Sequence, residues 1–427
     1  MAEVALTSGG MLQKRKKRMT YFGFWVMIDL RMEVFVKKIV FALALSFFWL
    51  SMGSCSKAVK DTGNVDFSEI SAFDLVTDMQ CGWNLGNTFD ATGAKTVEAE
   101  TSWGQPETTQ AMIKGLAKSG IKTLRIPVSW HTHVSGKNLT IDPAWMKRVK
   151  TVVDWAIAED MYVVLNTHHD CLETATSRDY GYYVDNANYK KSEKYLTCVW
   201  QQICEAFNNG YSEKLVFEIW NEPRPRGTNN EWWNDVNSSE YYDYAANVNS
   251  INEKILSVIR ASGGNNKKRF VIITPLQASP TSALADEFVM PEDLPEYAEN
   301  PHLILSSHMY SPYNFAMGVP GDTKFTGLHQ TELNNTFTQL EKKFSYNGYP
   351  VIIGEYGATN KDNLEDRVAW FKFYVSCARE HGFTCILWDN GNASPSTTES
   401  ERYGFYDREN ASWYFPEILD AIVENCK

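Results

Sequence analysis

Leu215-Val-Phe-Glu-Ile-Trp-Asn-Glu-Pro223 decides how the chain is read. Its apolar residues run on without polar alternation, the pattern of a strand buried on both faces, as in a parallel sheet. Pro223 stops the strand, and Asn221-Glu222 form a polar tip. A carboxylate where such a strand emerges stands at the end of the sheet where α/β barrels keep their chemistry. A second stretch, Tyr349-Pro-Val-Ile-Ile-Gly-Glu-Tyr-Gly357, repeats the pattern around Glu355. Two strand-terminal glutamates imply a two-carboxylate mechanism, and glycoside cleavage is the leading candidate.

Outward from these stretches, strand-like and helix-like segments alternate, as βα units of a parallel sheet require. Strands are expected at 81–85, 123–127, 162–166, around 215–222, and at 270–273, 303–308, 351–353 and 384–388. Helices are expected at 108–119, 143–159, 190–207, 241–262, 331–344, 364–381 and 416–424. The fifth helix has no clear segment, because Ser279 to Pro301 is punctuated by proline. Eight units fit a single (β/α)8 TIM barrel over 66–427, with 66–78 covering its floor and nothing left for a separate binding module.

Hydrophobic content of 44 % supplies a large core. Residues 1–38 carry eight basic and three acidic side chains, so a net charge of -11 leaves about -16 for the rest. So acidic a body argues against a nucleic-acid partner and suits a neutral substrate. The 14 Trp and 21 Tyr serve core packing first, with some left as platforms for sugar rings. Residues 1–31 read as an upstream start taken too early. Within 32–55, Lys37-Lys38, the apolar run Ile39 to Leu50 and Ser51-Met-Gly-Ser-Cys55 form a signal peptide rather than a spanning helix. Cys55 resembles a lipidation site, with an ordinary cleavage nearby as the alternative. Residues 56–65 are then a tether. An exported, cell-surface or outer-membrane lipoprotein is expected, otherwise a secreted or periplasmic protein, and a monomer. Seven further cysteines, an odd number without CxxC spacing, read as free buried thiols.

The strand ends carry polar groups collectively. Arg125 ends the second strand, His168-His169-Asp170 follows the third, His308-Met-Tyr310 the sixth and Trp388-Asp-Asn-Gly391 the eighth. A general acid needs a raised pKa, and a nucleophile beside it must stay ionised. Arg125 and a nearby histidine would hold Glu355 ionised. Asn221 would bond a sugar 2-hydroxyl, Tyr310 would steady the nucleophile, and Trp388 would form the floor. Arg125 also fits a structural ion pair. Glu218, of the same strand parity as Glu222, reads as a buried network member or as the carboxylate that matters. Trp130-His-Thr-His133, with His168, His169 and His308, leaves open a metal-dependent barrel hydrolase, a reading that activity surviving chelation would dismiss.

With those residues quoted, the chain resembles glycoside hydrolase family five of the retaining β-glycanase clan, over about 66–427. The resemblance rests on Gly82-Trp-Asn-Leu-Gly-Asn-Thr-Phe-Asp90, Thr101-Ser-Trp-Gly104, Arg125-Ile-Pro-Val-Ser-Trp-His131 and Asn166-Thr-His-His169. It continues through Asn221-Glu-Pro223, His308-Met-Tyr310, Gly354-Glu-Tyr-Gly357 and Trp388-Asp-Asn-Gly391, in that order. The resemblance implies Glu222 as acid/base and Glu355 as nucleophile, surrounded by Arg125, His168, Asn221, His308, Tyr310 and Trp388. Asn87, His169, Trp103, Trp130, His133 and Trp233 are further candidates for substrate contact, as is Trp232. The likeness is strongest to the endoglucanase and xyloglucanase branch, whose members act on cellulose, mixed-linkage β-glucan, xyloglucan and sometimes xylan; a β-glucan polysaccharide substrate is expected, with no cofactor and no metal. A xyloglucan- or xylan-preferring hydrolase, or a non-catalytic glycan-binding lipoprotein, are the alternatives. Phe89 stands where leucine is expected.

Overall fold

The computed structural model describes residues 64–173, 180–232, 235–395 and 399–427. The expected leader with Cys55, nearly all of the tether, and Trp233 lie outside the described residues. Eight strands form the barrel: β1 (Cys81–Asn84), β2 (Thr123–Ile126), β3 (Tyr162–Asn166), β4 (Leu215–Glu218), β5 (Val271–Ile273), β6 (Leu303–His308), β7 (Val351–Tyr356) and β8 (Thr384–Leu387). They pair in parallel in chain order, and β8 returns to β1 to close the sheet.

Helices lie between the strands where their sequences allow. They are α1 (Ala72–Met79), α2 (Gln110–Lys118), α3 (Pro143–Ala158), α4 (Tyr189–Ala206), α5 (Ser239–Ala261), α6 (Pro280–Leu284), α7 (Gly327–Lys343), α8 (Leu364–Glu380) and α9 (Pro416–Asn425). Local chemistry sets their starts. Thr109 accepts from the Met112 amide before α2, and Asp142 caps α3 ahead of Pro143 at its first position. The crossover after β5 holds only the five residues of α6, in keeping with its prolines. Helix α7 begins a turn earlier than its apolar pattern indicates, because Thr326 and His329 form a capping box. Two short hairpins, Val134–Ser135 with Thr140–Ile141 and Tyr406–Asp407 with Ser412–Trp413, were not legible in the pattern.

The barrel interior changes character with height. At the bottom, Val164, Val216, Ile272, Ile304, Ile352 and Ile386 form one cluster with Leu75, Val76 and Met79 of α1, which closes the floor. Each such side chain contributes about 1.5–3 kcal/mol on burial. One layer up the interior turns polar: Asn84 pairs in register with Arg125, and Asn166 with Glu218. All four are fully buried. The seven cysteines among the described residues are free thiols, six of them buried.

Strand β7 breaks the alternation where it matters. Ser307 of β6 faces Ile353, but the next residue, His308, faces Glu355. The extra residue, Gly354, forms a β-bulge that turns Glu355 toward the barrel axis, where strict alternation would send it outward with Ile353. A Cβ on Gly354 would lie 2.5 Å from Ser306 Oγ and 3.0 Å from His308 Nε2. Gly354→Ala is therefore expected to destabilise the protein by about 1–3 kcal/mol in urea unfolding. An unchanged midpoint would show that the bulge tolerates a side chain.

Candidate active site

The polar layer is centred on Arg125, which β2 holds fully buried. Its Nε and Nη2 fork onto Glu218 at 2.7 and 3.0 Å. Nη1 donates to Asn84 Oδ1 and Glu355 Oε1, both at 2.8 Å, and Nη2 also reaches Asn221 Oδ1 at 2.7 Å. Arg125 is thus the structural ion pair and the partner of the nucleophile candidate at once. Glu218 is locked in the fork, which fixes it as a network member.

Glu355 accepts on both oxygens, from Arg125 and from Tyr310 Oη at 2.9 Å. Burial and the Glu355 charge push the Tyr310 phenol well above its ordinary pKa, so it stays a donor. Burial raises the Glu355 pKa, and the nearby Glu222 charge adds to this, against the pull of His308, Arg125 and Tyr310.

Glu222, just beyond β4, has its side chain 15 % exposed. His308 Nδ1 lies 2.8 Å from Glu222 Oε1 and 3.7 Å from Glu355 Oε1. One oxygen of Glu222 and one of Glu355 come within 4.8 Å of each other. The electrostatics differ from the sequence expectation of a raised Glu222. Burial would raise it, but the His308 hydrogen bond, with Arg224 and His169 beyond, draws it below the ordinary carboxyl value. For His308 burial favours the neutral ring, yet Glu355 and Glu222 outweigh it and its pKa rises. The two shifts run in the same sense: both favour the ion pair of His308 with Glu222, the acid/base candidate one hydrogen bond away.

The floor is Trp388, whose ring lies parallel to His168 at 5.9 Å between centroids. A Cβ on Gly86 would fall 2.9 Å from this indole, so only glycine leaves room for it. Burial keeps His168 neutral, its pKa well below the ordinary value. Nδ1 accepts from Asn166 Nδ2 at 3.2 Å, which leaves Nε2–H to donate. His169 stands edge-on to His168, with Nε2 3.5 Å from Asp90 Oδ2. Trp103, 40 % exposed, has its ring 5.5 Å from His169 and remains available to a ligand. Asn87 is half-buried at φ 55° in the turn after β1.

Two aromatic candidates are corrected. Trp130 is fully buried and donates its indole N–H to the Asn166 carbonyl, so it is packing, not platform. His133 is stacked on Trp145 at 3.8 Å, and burial lowers its pKa to about 4. With His131 bound to Asp170, the HxH pair does not converge as a metal site. Among the described residues, ligand-like spacing occurs instead in two trios, Glu222–His308–Glu355 and Asp90–His168–His169. Asn84 and Arg224 are site residues that the sequence reading missed. Asn84 shares the parity of the strand-end polar groups, which was its available signal. Arg224 follows Pro223 directly and places Nη1 3.8 Å from Glu222 Oε2.

Comparison with known proteins agrees with this geometry. The family model described as cellulase (glycosyl hydrolase family 5) matches residues 86–394. Endoglucanase A of Clostridium longisporum is 38 % identical over 84 % of this chain, which spans 66 % of that relative's length. A family 5 lichenase from Caldicellulosiruptor sp. F32, solved with cellotetraose, superposes with a TM-score of 0.78 at 35 % identity, covering 88 % of this chain and 100 % of its own. A broad-specificity endoglucanase from Ruminococcus champanellensis, solved with cellotriose, gives a TM-score of 0.76 at 35 % identity, over 84 % and 100 % of the two chains. A closed eight-stranded barrel with facing glutamates from β4 and β7, matched over most of its length, places the chain in glycosyl hydrolase family 5.

Proposed function

We propose that the chain is an endo-acting, retaining β-1,4-glucanase that cleaves cellulose-type and mixed-linkage β-glucan backbones. The observation that carries this reading is the trio Glu222–His308–Glu355, with oxygens of the two glutamates within 4.8 Å. That closeness suits retention, for which the carboxyl groups stand about 5–5.5 Å apart, better than inversion, which needs about 6.5–9.5 Å. The named endoglucanase and lichenase relatives support an endo action on β-glucan.

In the first step Glu355 attacks the anomeric carbon while a proton passes to the departing glycosidic oxygen through Glu222, breaking the glycosidic bond. In the second, Glu222 takes a proton from water, and the water oxygen displaces Glu355 from the sugar with net retention. Asn221 Oδ1 is held by Arg125, so its amide N–H is the group left for the sugar 2-hydroxyl. Proton delivery begins on His308 and reaches substrate through Glu222, a relay matched to neutral pH. The same proposal takes xyloglucan as a further substrate. It anchors the chain to the cell surface through a lipid on Cys55 and has it act as a monomer.

Glu355→Gln removes the nucleophile and should leave only background release of reducing sugar from barley β-glucan, while Glu222→Gln should cost about 10²–10⁴-fold in kcat. Near-normal turnover in the first variant would end the assignment. Proton NMR of early product should show the β-anomer before mutarotation, and initial α-anomer would mean inversion. The pH profile tests the relay. The Glu222–His308 pair holds its proton below the raised His308 pKa and loses it above, so the alkaline limb of kcat/KM should lie above the ordinary histidine value of about 6.5. In His308→Asn the proton must rest on Glu222 alone, and the limb should move to lower pH. A limb unmoved by that substitution would separate His308 from proton delivery.

A further inference from the structure

Several buried arginines of this protein are well matched. Arg125 satisfies its donors within the polar layer. Arg260 forks onto Asp293 at 2.7 and 2.9 Å and donates twice more to backbone carbonyls. Arg269, with no carboxylate in reach of a hydrogen bond, turns its guanidinium onto four carbonyl oxygens and Asn266 Oδ1.

Arg367 and Arg402 break this rule together. Arg367, on α8, is fully buried, and Arg402, ahead of the Tyr406–Asp407 hairpin, is 1 % exposed. Arg367 donates through Nε alone, to the Ala358 carbonyl at 3.1 Å. Among the described residues its Nη1 and Nη2 have no hydrogen-bond partner, and neither do Nε, Nη1 and Nη2 of Arg402. All five atoms are also sealed from solvent. The two side chains belong to one neighbourhood at the end of β7. Arg367 is tied to Ala358, and the Arg402 amide donates to Oγ1 of the adjacent Thr359 at 3.0 Å. Phe405 and Phe415 cover the Arg367 guanidinium at 5.1 and 4.7 Å, which accounts for its faces but not for its in-plane N–H groups. Burial, and after it the Arg402 charge, lowers the Arg367 pKa to about 9.

Leaving such donors unmade costs free energy at each atom, and an uncompensated buried charge costs far more. The carboxylate paired with Arg402 is that of Asp362, 3.6 Å from Nη2 and 61 % exposed, so its charge is largely spent in solvent. Two guanidinium charges against one carboxylate leave a single positive charge to be matched. Water would satisfy the N–H groups but not that charge. We propose that Arg367 and Arg402 form an internal site for one small monovalent anion of the halide class, with chloride as the physiological ligand. Its occupant holds the 399–405 segment against the end of β7. The following residue, Tyr403, donates to the Ala316 carbonyl and packs its ring 5.5 Å from Tyr310, the phenol bound to Glu355. The anion thus braces one wall of the cleft from behind without touching substrate.

The test is thermal unfolding of the full chain at fixed ionic strength, with sodium gluconate replaced stepwise by sodium chloride. The expected result is a saturable rise in Tm of about 2–4 °C, absent in Arg402→Gln. A wild-type Tm that does not respond to the exchange overturns the site, as does an equal rise in both proteins. If Arg402→Gln fails to fold, crystals of the wild type grown in sodium bromide decide: an anomalous peak within hydrogen-bond reach of both guanidinium groups supports the site, and its absence there overturns it. None of these readouts uses catalysis, so they are independent of the proposed activity.

Discussion

One guanidinium sets the terms for the cleft. Arg125 is charged and fully buried, a state that costs several kcal/mol unless every donor and the charge itself are matched. The protein meets that cost by surrounding it with Glu218, Asn84, Asn221 and Glu355. Burial favours its neutral form, but the two carboxylates outweigh this and push its pKa above the ordinary value. The geometry is particular to arginine. A planar fork can engage Glu218 with two parallel bonds and still offer Nη1 to Glu355, whereas a lysine ammonium could not span both carboxylates in one plane. Glu218 therefore fixes the plane of the fork, and the fork fixes Glu355. The Glu355 carboxylate is thus placed by a residue on another strand, itself oriented by a third.

Around that fork, two glutamates of the same chemistry acquire different electrostatics from their neighbours. Glu355 is held by Arg125 and Tyr310, both of which donate and favour its charged form, against the burial that raises its pKa and counter to the sequence expectation that Arg125 and a histidine prevail. Glu222 has the more exposed side chain and stands 2.8 Å from His308 Nδ1. Arg224 is divided between Glu231, 3.1 Å from its Nε, and Glu222, 3.8 Å from its Nη1. In the proposed relay, moving the proton from His308 to Glu222 leaves the total charge unchanged and takes only a shift along one 2.8 Å contact.

The barrel was legible because its signals are local. Unbroken apolar runs, helix caps and prolines are written in consecutive residues, and the strands and most helices fall within a few residues of their expected places. Glu222 was legible for the same reason, since it keeps strand parity with Glu218. Glu355 is a different case. Its position along the strand could be read, but alternation alone points it outward, and only the register slip at Gly354 turns it in. The hidden part was which side of the wall each aromatic and histidine occupies. Trp130 and His133 lie in the same motif as true rim residues, and their burial depends on α3, through Trp145, and on β3, through Asn166. No pattern within the motif records those distant partners. The direction of the Glu222 pKa was hidden likewise, because it is set by His308 from another strand.

The contrast between Trp388 and Trp130 shows what makes an indole a platform. Trp130 spends its N–H on a strand-end carbonyl and is enclosed on all sides, so its ring area has already been used in folding. Trp388 keeps a half-open ring because its support comes from behind. Gly86 supplies a flat backbone surface, and the neighbouring Asp389 is fully buried and holds the loop in place. Asp389 accepts from the Trp83 indole, from the amides of Phe405 and Tyr406, and from the Gly391 amide. Arg408 then joins the Asp389 carbonyl to Gly86. Rigidity at the floor therefore arises from buried charge and backbone bonds placed beneath the ring. Under the proposed function, a ring so supported would lose little side-chain entropy when a sugar lands on it, and the stacking energy would go to binding rather than to ordering the site.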